Sequence, residues 1–360
     1  MKKRIKELEK QITQARNDYY NKTPKISDKV YDTWLDELKT LDPNNKIAVL
    51  VGATVIASEW KKANHQIPMG SLDKVNTPNE LTKWVNEVAI NEKLCIIEKL
   101  DGISIEVIYE DGKVVQGVTR GNGAQGEDIT VNVVRMQGVP NKLKDNFTGS
   151  LRGEIIMRNS IHKQYFSDKA NPRNAASGVA KRLDGVNVDK LDILFYQALG
   201  NVDFTTEQEQ FVWLSNQGLT VPNWWIVKNA DEVNKFWRDY QDTKRDKLDY
   251  MIDGLVIRID NLDKASALGD KDLRPKGAKA FKFDNECKET TLLNVEWEVG
   301  NSGRITPIAI LEPIIICGAE IKRASLHNVN MVKGLDLYIG CKVLVSRRND
   351  VIPYVEEKIS

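Results

Sequence analysis

Ile96-Ile97-Glu98-Lys99-Leu100-Asp101-Gly102-Ile103-Ser104 sets one lysine among apolar residues and follows it, two places later, with an Asp-Gly pair. Alternation along Cys95, Ile97, Lys99 and Asp101 reads as a strand with Lys99 and Asp101 on one face. The chain then turns at Gly102 into a second apolar run. A carboxylate neighbours the amine, which makes Lys99 a candidate nucleophile. Taken alone, a Lys-x-Asp-Gly is more often a strand ending in a surface ion pair, and what favours chemistry lies elsewhere in the chain.

Downstream, Ser104 to Tyr109, the Asp111-Gly112 turn and Lys113 to Arg120 form a hairpin signature, so the sheet here is antiparallel. Gly121, Gly123 and Gly126 match G-x-G-x-x-G, but a dinucleotide fingerprint needs a strand, a tight turn and a helix within a parallel unit. These glycines follow a hairpin, which excludes that reading. Leu151 to Met157 is a short strand bearing Arg152 and Glu154, and Asn171-Pro172-Arg173-Asn174-Ala175-Ala176 opens a helix with Lys181 and Arg182 in its later turns. Residues 201 to 250 read as two helices rich in Trp and charge, packing rather than chemistry. Tyr250 to Asp260 repeats the first theme, with Asp253-Gly254 leading into a strand that carries Arg258, and Ala280-Phe281-Lys282-Phe283 is a second basic strand. Lys99, Arg258 and Lys282, set among Asp101, Glu154 and Asp253, suit a polyphosphate.

Upstream, Ile5, Leu8, Ile12, Ala15 and Tyr19 recur at helical spacing until Pro24. A second helix starts near Ser27 and buries Val30, Tyr31, Trp34, Leu35 and Leu38. This hairpin holds a polar-aromatic cluster of Tyr19, Tyr20, Asp28, Tyr31 and Asp32, which by itself reads as capping and core edge. From Pro68 the texture changes to strands and helices, beginning with Met69-Gly70-Ser71-Leu72-Asp73 and a helix over Glu80 to Ala89. Residues 288 to 360 are short strands (Glu296 to Val299, Thr306 to Leu311, Ile314 to Ile316, Cys341 to Ser346) with a polar helix near Asn328 to Lys333. That is small-barrel texture of the OB type. Arg304, Arg323, Arg347 and Arg348 are candidates to line a nucleic-acid face or are ordinary surface arginines.

Composition sets the bounds. The 360 residues suggest two or three domains. With 52 basic and 51 acidic residues, binding to nucleic acid has to come from local patches and not from a global field. No apolar run approaches the ~20 residues of a membrane span, and the chain is expected to be cytoplasmic. Cys95, Cys287, Cys317 and Cys341 form no Cys-x-x-Cys pair, which argues against structural zinc. Three histidines leave little for a histidine metal site or a Ser-His-Asp triad, so chemistry falls to Lys, Arg, Asp and Glu.

In order, Lys99-Leu100-Asp101-Gly102, Arg120-Gly121-x-Gly123-x-x-Gly126-Glu127-Asp128, Arg152-Gly153-Glu154, Asn171 to Ala176, Asp253-Gly254-x-Val256-Ile257 and Ala280 to Phe283 resemble the motif series of bacterial-type NAD-dependent DNA ligases. The resemblance extends to Val299-Gly300-x-x-Gly303-x-Ile305-Thr306-Pro307, Ser325 to Asn328 and Asp350-Val351-Ile352-Pro353 in the barrel. It implies an α+β multidomain chain. Residues 1–55 would be a helical domain recognising the nicotinamide mononucleotide half of NAD, 56–286 a nucleotidyltransferase domain with antiparallel sheets, and 287–360 an OB-fold barrel. It implies that Lys99 attacks the adenylate phosphorus of NAD, giving lysyl-AMP, and that AMP passes to a nick 5′-phosphate for displacement by the adjacent 3′-hydroxyl. Asp101, Asp253, Arg258 and Lys282 would join Lys99 in the chemistry, with neighbouring cations favouring the neutral amine. Tyr19, Tyr20, Asp28, Tyr31, Asp32 and Arg245 would take the nicotinamide side. Ser71, Leu72, Glu98, Arg120, Glu127, Glu154, Arg173 and Val256 would line the rest of the cofactor. Magnesium or manganese would sit on Asp101, Glu154 and Asp253, directly or through water, and Lys181, Arg182, Arg304, Arg347 and Arg348 would contact nicked duplex DNA, with the chain acting as a monomer.

This chain departs from the family pattern at several positions. Ile97 stands where the family carries a glutamate that meets adenine, with Glu98 one place nearer the lysine. Arg258 and Lys181 replace a lysine and an arginine, which keeps charge but not geometry. The sequence stops after the barrel, without zinc, helix-hairpin-helix or BRCT modules, as expected of a minimal, phage-type ligase or of a shortened chain. An ATP-dependent or RNA-joining nucleotidyltransferase, or a catalytically silent relative that binds nucleotide or DNA, are the alternatives.

Overall fold

The computed structural model describes residues 2–21, 26, 28–43, 45, 47, 59–169, 171–283, 287–299, 305–316, 319–326, 328–348 and 352–359. They fall into two compact units, Met1–Lys25 with Trp34–Phe283, and Ile26–Thr33 with Asp284–Ser360.

Helices α1 (Lys2–Asn21) and α2 (Asp28–Leu41) follow the expected periodicity. Leu8, Ile12 and Leu38 are fully buried, and Arg4 forms a two-pronged bond to Glu37, Nε to Oε1 at 2.8 Å and Nη2 to Oε2 at 2.7 Å. The proposed cap Ser27 lies outside the described residues. After β1 (Lys62–Asn64) and β2 (Asp73–Val75) comes α3 (Pro78–Val88), whose Thr77 hydroxyl accepts from the Glu80 amide at its start.

Two sheets build the centre of the first unit. One has four strands in the order β5 (Lys113–Thr119), β4 (Ile103–Glu110), β7 (Gly149–Met157), β8 (Leu191–Gly200). The other has five, β2, β13 (Ala278–Lys282), β10 (Ile252–Ile259), β3 (Leu94–Leu100), β9 (Trp224–Val227). All pairings in both are antiparallel except β13 with β2. Short β6 (Gln125–Glu127) pairs with β1, and β11 (Asp270–Lys271) with β12 (Arg274–Pro275).

Period-two alternation along β3 divides its side chains between two cores. Leu94 and Ile96 pack with Leu81 and Trp84 of α3, with Val233 and Trp237 of a later helix (Ala230–Asp239), and with Phe281. Cys95 and Ile97 face the four-stranded sheet and pack with Ile105, Ile155, Ile193, Phe195 and Val256. Burying such aliphatic side chains stabilises by roughly 1.5–3 kcal/mol each, so β3 is pinned from both sides. Its register cannot slip without exchanging the two cores. Lys99 shares the face of Cys95 and Ile97, toward the other sheet.

Helices α4 (Thr130–Val133) and α5 (Asn159–Tyr165) are short. Helix α6 (Pro172–Ala180) is capped by the Asn171 side chain, which accepts from the Asn174 amide. Lys181 is its C-cap and Arg182 lies beyond it, one step short of the helical placement expected for both. Residues 201–250 hold α7 (Glu207–Asn216) and α8 (Ala230–Asp239) as expected, but also β9, an apolar strand that periodicity could not separate from the helices around it. Helix α9 (Leu262–Ala267) follows β10.

The second unit is a closed five-stranded barrel in the order β14 (Cys287–Val299), β15 (Ile305–Ile316), β16 (Ala319–Ser325), β18 (Ile352–Lys358), β17 (Lys342–Arg348). The two strands read at Thr306 to Leu311 and Ile314 to Ile316 are one strand, its register shifting between Ile310 and Ile314, a stretch that holds Pro313. Helix α10 (Val329–Gly334) starts at Asn328, whose side chain accepts from Met331 N. Among the described residues no helix is long and apolar enough to cross a membrane.

Candidate active site

Lys99 is placed by the ladder between β3 and β10, and its partner is not Asp101. In that ladder Leu100 pairs with Ile252 and Lys99 with Gly254, so Asp253 is a bulge residue with no cross-strand partner. A bulge re-aims a side chain that strict alternation would send to the other face. Here it brings the Asp253 carboxylate to Lys99 Nζ, at 2.8 Å from Oδ1 and 3.0 Å from Oδ2. Gly254 is needed beside it, because a Cβ there would lie 2.4 Å from the Phe281 carbonyl oxygen. Gly102 has the same role after Asp101, with a Cβ position 2.1 Å from the Ile155 carbonyl oxygen. The repeated Asp-Gly is thus a carboxylate followed by the close approach of a neighbouring strand.

Around this pair the charges alternate. Lys282 Nζ is 3.6 Å from Asp253 Oδ2, and Asp101 accepts a charge-assisted bond from Arg173 Nη1 at the start of α6. Burial opposes ionisation of Asp253, but Lys99, Lys282 and Arg173 outweigh it and take its carboxyl down to about 2. Glu154, paired across the ladder with Ser104, accepts from that hydroxyl at 2.8 Å. Burial pushes its carboxyl up, against the pull of Arg173, Ser104, Arg120 and Lys99. Lys99, Lys282 and Arg173 are thus gathered around Asp253 and Asp101, where their donors can meet the oxygens of a phosphate.

Arg120 is held by its backbone, its amide donating to the Ser104 carbonyl at 2.9 Å. Beneath it the buried His65 ring meets Glu106 Oε2 at 2.5 Å and the Thr119 and Arg120 carbonyl oxygens at 3.1 and 3.2 Å. Glu127 is buried and pairs with Lys181 at 2.8 Å, so a residue expected at the cofactor and one expected at DNA form one ion pair. Arg182 pairs with exposed Asp184. Ser71 accepts from Arg274 Nε at 3.1 Å, and Leu72 and Val256 belong to the core between the sheets. Arg245 lies over the Phe283 ring at 5.5 Å.

Two expected residues sit elsewhere. Alternation turns Glu98 away from Lys99 and toward the helices. There its carboxylate accepts from Tyr240 Oη, Tyr250 Oη (2.5 Å), Asn223 Nδ2 (3.0 Å) and the Asn223 amide (3.1 Å). Arg258 lies on the Lys99 face of β10's sheet but stands opposite Cys95, four residues along the ladder from Lys99, where its Nη1 bonds Glu207 Oε1 at 3.1 Å. It therefore does not join Lys282 beside the amine.

The three carboxylates expected at a metal do not converge. Asp101 is taken by Arg173, Glu154 by Ser104 and Asp253 by two lysines. Among the described residues no group of three or more His, Cys, Asp or Glu is placed to hold an ion. The side chains of Tyr19, Tyr20, Asp28 and Asp32 lie outside the described residues, as do Arg304 and the side chains of Arg347 and Arg348 on β17; Tyr31 is described, half-buried on α2. Arg323 on the barrel pairs with Glu296 at 3.2 Å and with Glu298.

Sequence reasoning missed Tyr196 and Glu207. Tyr196 is the bulge residue of β8, skipped between the Arg152–Gln197 and Gly153–Phe195 pairs, and it feels the charges of Glu154, Arg258, Arg120 and Arg152. The only trace of it in sequence is a hydroxyl-bearing ring directly after the apolar run Ile193 to Phe195.

Residues 57–286 match the NAD-dependent DNA ligase adenylation domain, 289–360 the NAD-dependent DNA ligase OB-fold domain, and 1–46 the DNA ligase-like N-terminal NAD+-binding domain. The DNA ligase of Sorangium cellulosum (strain So ce56) is 43% identical over 99% of this chain and 56% of its own length. Those of Treponema denticola and Treponema pallidum are 39% and 37% identical, over 98% and 99% of this chain and 57% and 45% of theirs. The chain spans about half the length of these curated relatives. On the match of its adenylation domain, which covers well over half of its residues, the chain belongs to the NAD-dependent DNA ligase family.

Proposed function

We propose that this chain is an NAD-dependent DNA ligase that seals nicks in duplex DNA, and that Lys99 is the residue it adenylates. The observation that carries this is the Lys99–Asp253 pair at 2.8 Å, flanked by Lys282 and by Arg173–Asp101. Once Lys99 has lost its proton, Nζ attacks the adenylate phosphorus; the N–P bond forms, the P–O bond to nicotinamide mononucleotide breaks, and lysyl-AMP remains. Asp253 is too acidic to keep the proton at neutral pH, so it orients the amine while the proton leaves to solvent. Lys282 and Arg173 neutralise charge on the phosphate oxygens, the main demand of phosphoryl-type transfer. Glu154 with Ser104 is suited to a ribose hydroxyl.

AMP then passes to the 5′-phosphate of a nick, and the 3′-hydroxyl displaces it. A nick offers one phosphate to one lysine, which suits a monomer, and the reaction belongs where DNA is, in the cytoplasm. The described carboxylates do not build a cage for magnesium or manganese. The divalent ion is expected to arrive on the phosphate oxygens of the nucleotide.

The test is incubation with NAD labelled in its adenylate. One adenylate per chain, absent in Lys99→Ala and transferable to nicked duplex, is the expected result. No adduct in the parent chain overturns the proposal. An adduct from ATP and not from NAD would establish the ATP-dependent alternative instead.

A further inference from the structure

Lys282 stands where its sheet loses a strand. Phe283 N donates to the Asp253 carbonyl at 3.2 Å, one residue past the pair of Lys282 with Gly254. Backbone groups alternate in direction along an antiparallel ladder. The amide and carbonyl of Lys282 therefore point away from β10, toward the side of β13 on which β2 runs. But β2 ends at Val75, whose partner is Phe281, one residue short of Lys282. A carbonyl at that place needs a donor from outside the sheet.

A helix supplies it. Trp237, in the last turn of α8 and 3% exposed, donates its indole Nε1–H to the Lys282 carbonyl at 3.1 Å. Its ring stacks on Phe281 with centroids 4.6 Å apart and planes 5° from parallel, and meets Phe283 at 6.2 Å. Tyr240, tied to Glu98 by its hydroxyl, stacks on Phe283 at 6.5 Å. Alternation puts Phe281 and Phe283 on one face of β13 and Lys282 on the other, where its Nζ lies 3.6 Å from Asp253 Oδ2. One indole thus holds three successive residues, the middle one by its backbone, and leaves the amine on the far face. A buried indole needs an acceptor, and this one takes the carbonyl of the lysine that meets Asp253.

We propose that Trp237 is a positioning residue for adenylate transfer: its indole N–H fixes the end of β13 and so sets where the Lys282 ammonium meets the phosphate. This rests on Lys99 being the adenylated residue and on Lys282 serving the phosphate oxygens. Charge on those oxygens is redistributed at the transition state, so the placement of a cation there governs rate more than affinity. Removing the indole N–H takes a donor from a buried carbonyl, and the strand end shifts toward another one, carrying Lys282 with it. A displacement of an ångström can cost about 10²-fold in rate. Trp237 packs with Leu94 and Ile96, on the opposite face of this sheet from Lys99, and reaches the reaction only through Lys282.

The experiment is a double-mutant cycle on single-turnover adduct formation from NAD. Trp237→Phe keeps a ring for the stack and removes the donor. Its maximal rate is expected to fall about tenfold, while the NAD concentration at half-maximal rate stays within about threefold. Lys282→Ala is expected to lose about 10²- to 10³-fold, and in that background Trp237→Phe should change the rate by less than about twofold. A merely structural role would lower the urea midpoint and leave the rate of the folded protein alone. A Trp237→Phe rate within about twofold of the parent overturns the proposal, as does a loss confined to the half-maximal concentration. An equal loss in both backgrounds also overturns it, because Trp237 would then act without Lys282. An adduct formed at the parent rate by Lys282→Ala overturns it while leaving Lys99's role intact; no adduct in the parent chain overturns both. Should Trp237→Phe fail to fold, benzothienylalanine at position 237, which puts sulfur in place of the N–H and keeps the shape of the ring, goes through the same cycle with the same outcomes.

Discussion

Asp253 has no partner in the β3–β10 ladder, and its carboxylate lies 2.8 Å from Lys99 Nζ. The amine is thus aimed by a residue that the ladder skips. Asp253→Asn keeps the shape and removes the charge that holds the amine in line. Misplacing a reacting group by an ångström can cost about 10²-fold, and a loss of that order is expected in single-turnover adduct formation at saturating NAD. A rate within about threefold of the parent would show that Asp253 does not aim the nucleophile.

The same carboxylate makes a pH-dependent contribution to stability. Lys99, Lys282 and Arg173, outweighing its burial, take the Asp253 carboxyl down to about 2, against about 3.9 for an unfolded aspartate. A carboxyl depressed in the folded state stabilises fully above the unfolded value and loses that contribution as pH falls through the folded one. The difference in urea midpoint between the parent and Asp253→Asn is therefore expected to be constant from pH 7 down to about 5 and to shift against the parent between about pH 4 and 2. A difference that stays flat through that window would contradict the depressed carboxyl.

Glu98 is a structural anchor on the helix side of β3, accepting from two phenols and from the side chain and backbone of Asn223. Burial and the neighbouring carboxylate both hold the Tyr240 and Tyr250 hydroxyls above the usual phenol range, so they stay donors at neutral pH. Glu98→Ala leaves several buried donors without an acceptor at about 1–3 kcal/mol each, and a total loss near 3 kcal/mol is expected by urea unfolding. Glu98→Gln keeps one acceptor and should cost about half as much. For the folded Glu98→Gln enzyme, KM for NAD should stay within about twofold of the parent. A tenfold rise would return Glu98 to the nucleotide.

How much of this was legible beforehand depends on whether a residue obeys its element's period. Lys99, the hairpin after Gly102, the basic strands around Arg258 and Lys282 and the small barrel all follow simple alternation or turn chemistry, and they stand where the sequence put them. Asp253 and Tyr196 do not, because each is a bulge residue, and no local pattern announces an extra residue in a ladder. Glu98 shows the converse. Alternation applied strictly from Lys99 already sends it to the opposite face, and only its nearness in sequence suggested the cofactor. Glu207 was illegible for a third reason, since it meets Arg258 across fifty-one residues of chain and looks like any acidic first turn of a helix.

Glycine tests whether the repeated Asp-Gly works through close backbone approach. At Gly254 an added Cβ would lie 2.4 Å from the Phe281 carbonyl oxygen and 2.8 Å from Lys282 Cα, both on the adjacent strand β13. Backbone cannot swing aside as a long side chain can, so β13 must shift and carry Lys282 with it. Overpacking of this kind costs about 1–3 kcal/mol, and Gly254→Ala is expected to lose stability in that range and to slow adduct formation as Lys282 moves off the phosphate. Gly178, inside α6, is the control: nothing lies within 4 Å of its Cβ position. There Gly178→Ala should gain about 0.4–1 kcal/mol by restricting the unfolded chain and favouring helix. Equal melting temperatures for the two variants would mean that the strand approach at Gly254 is not what the motif requires.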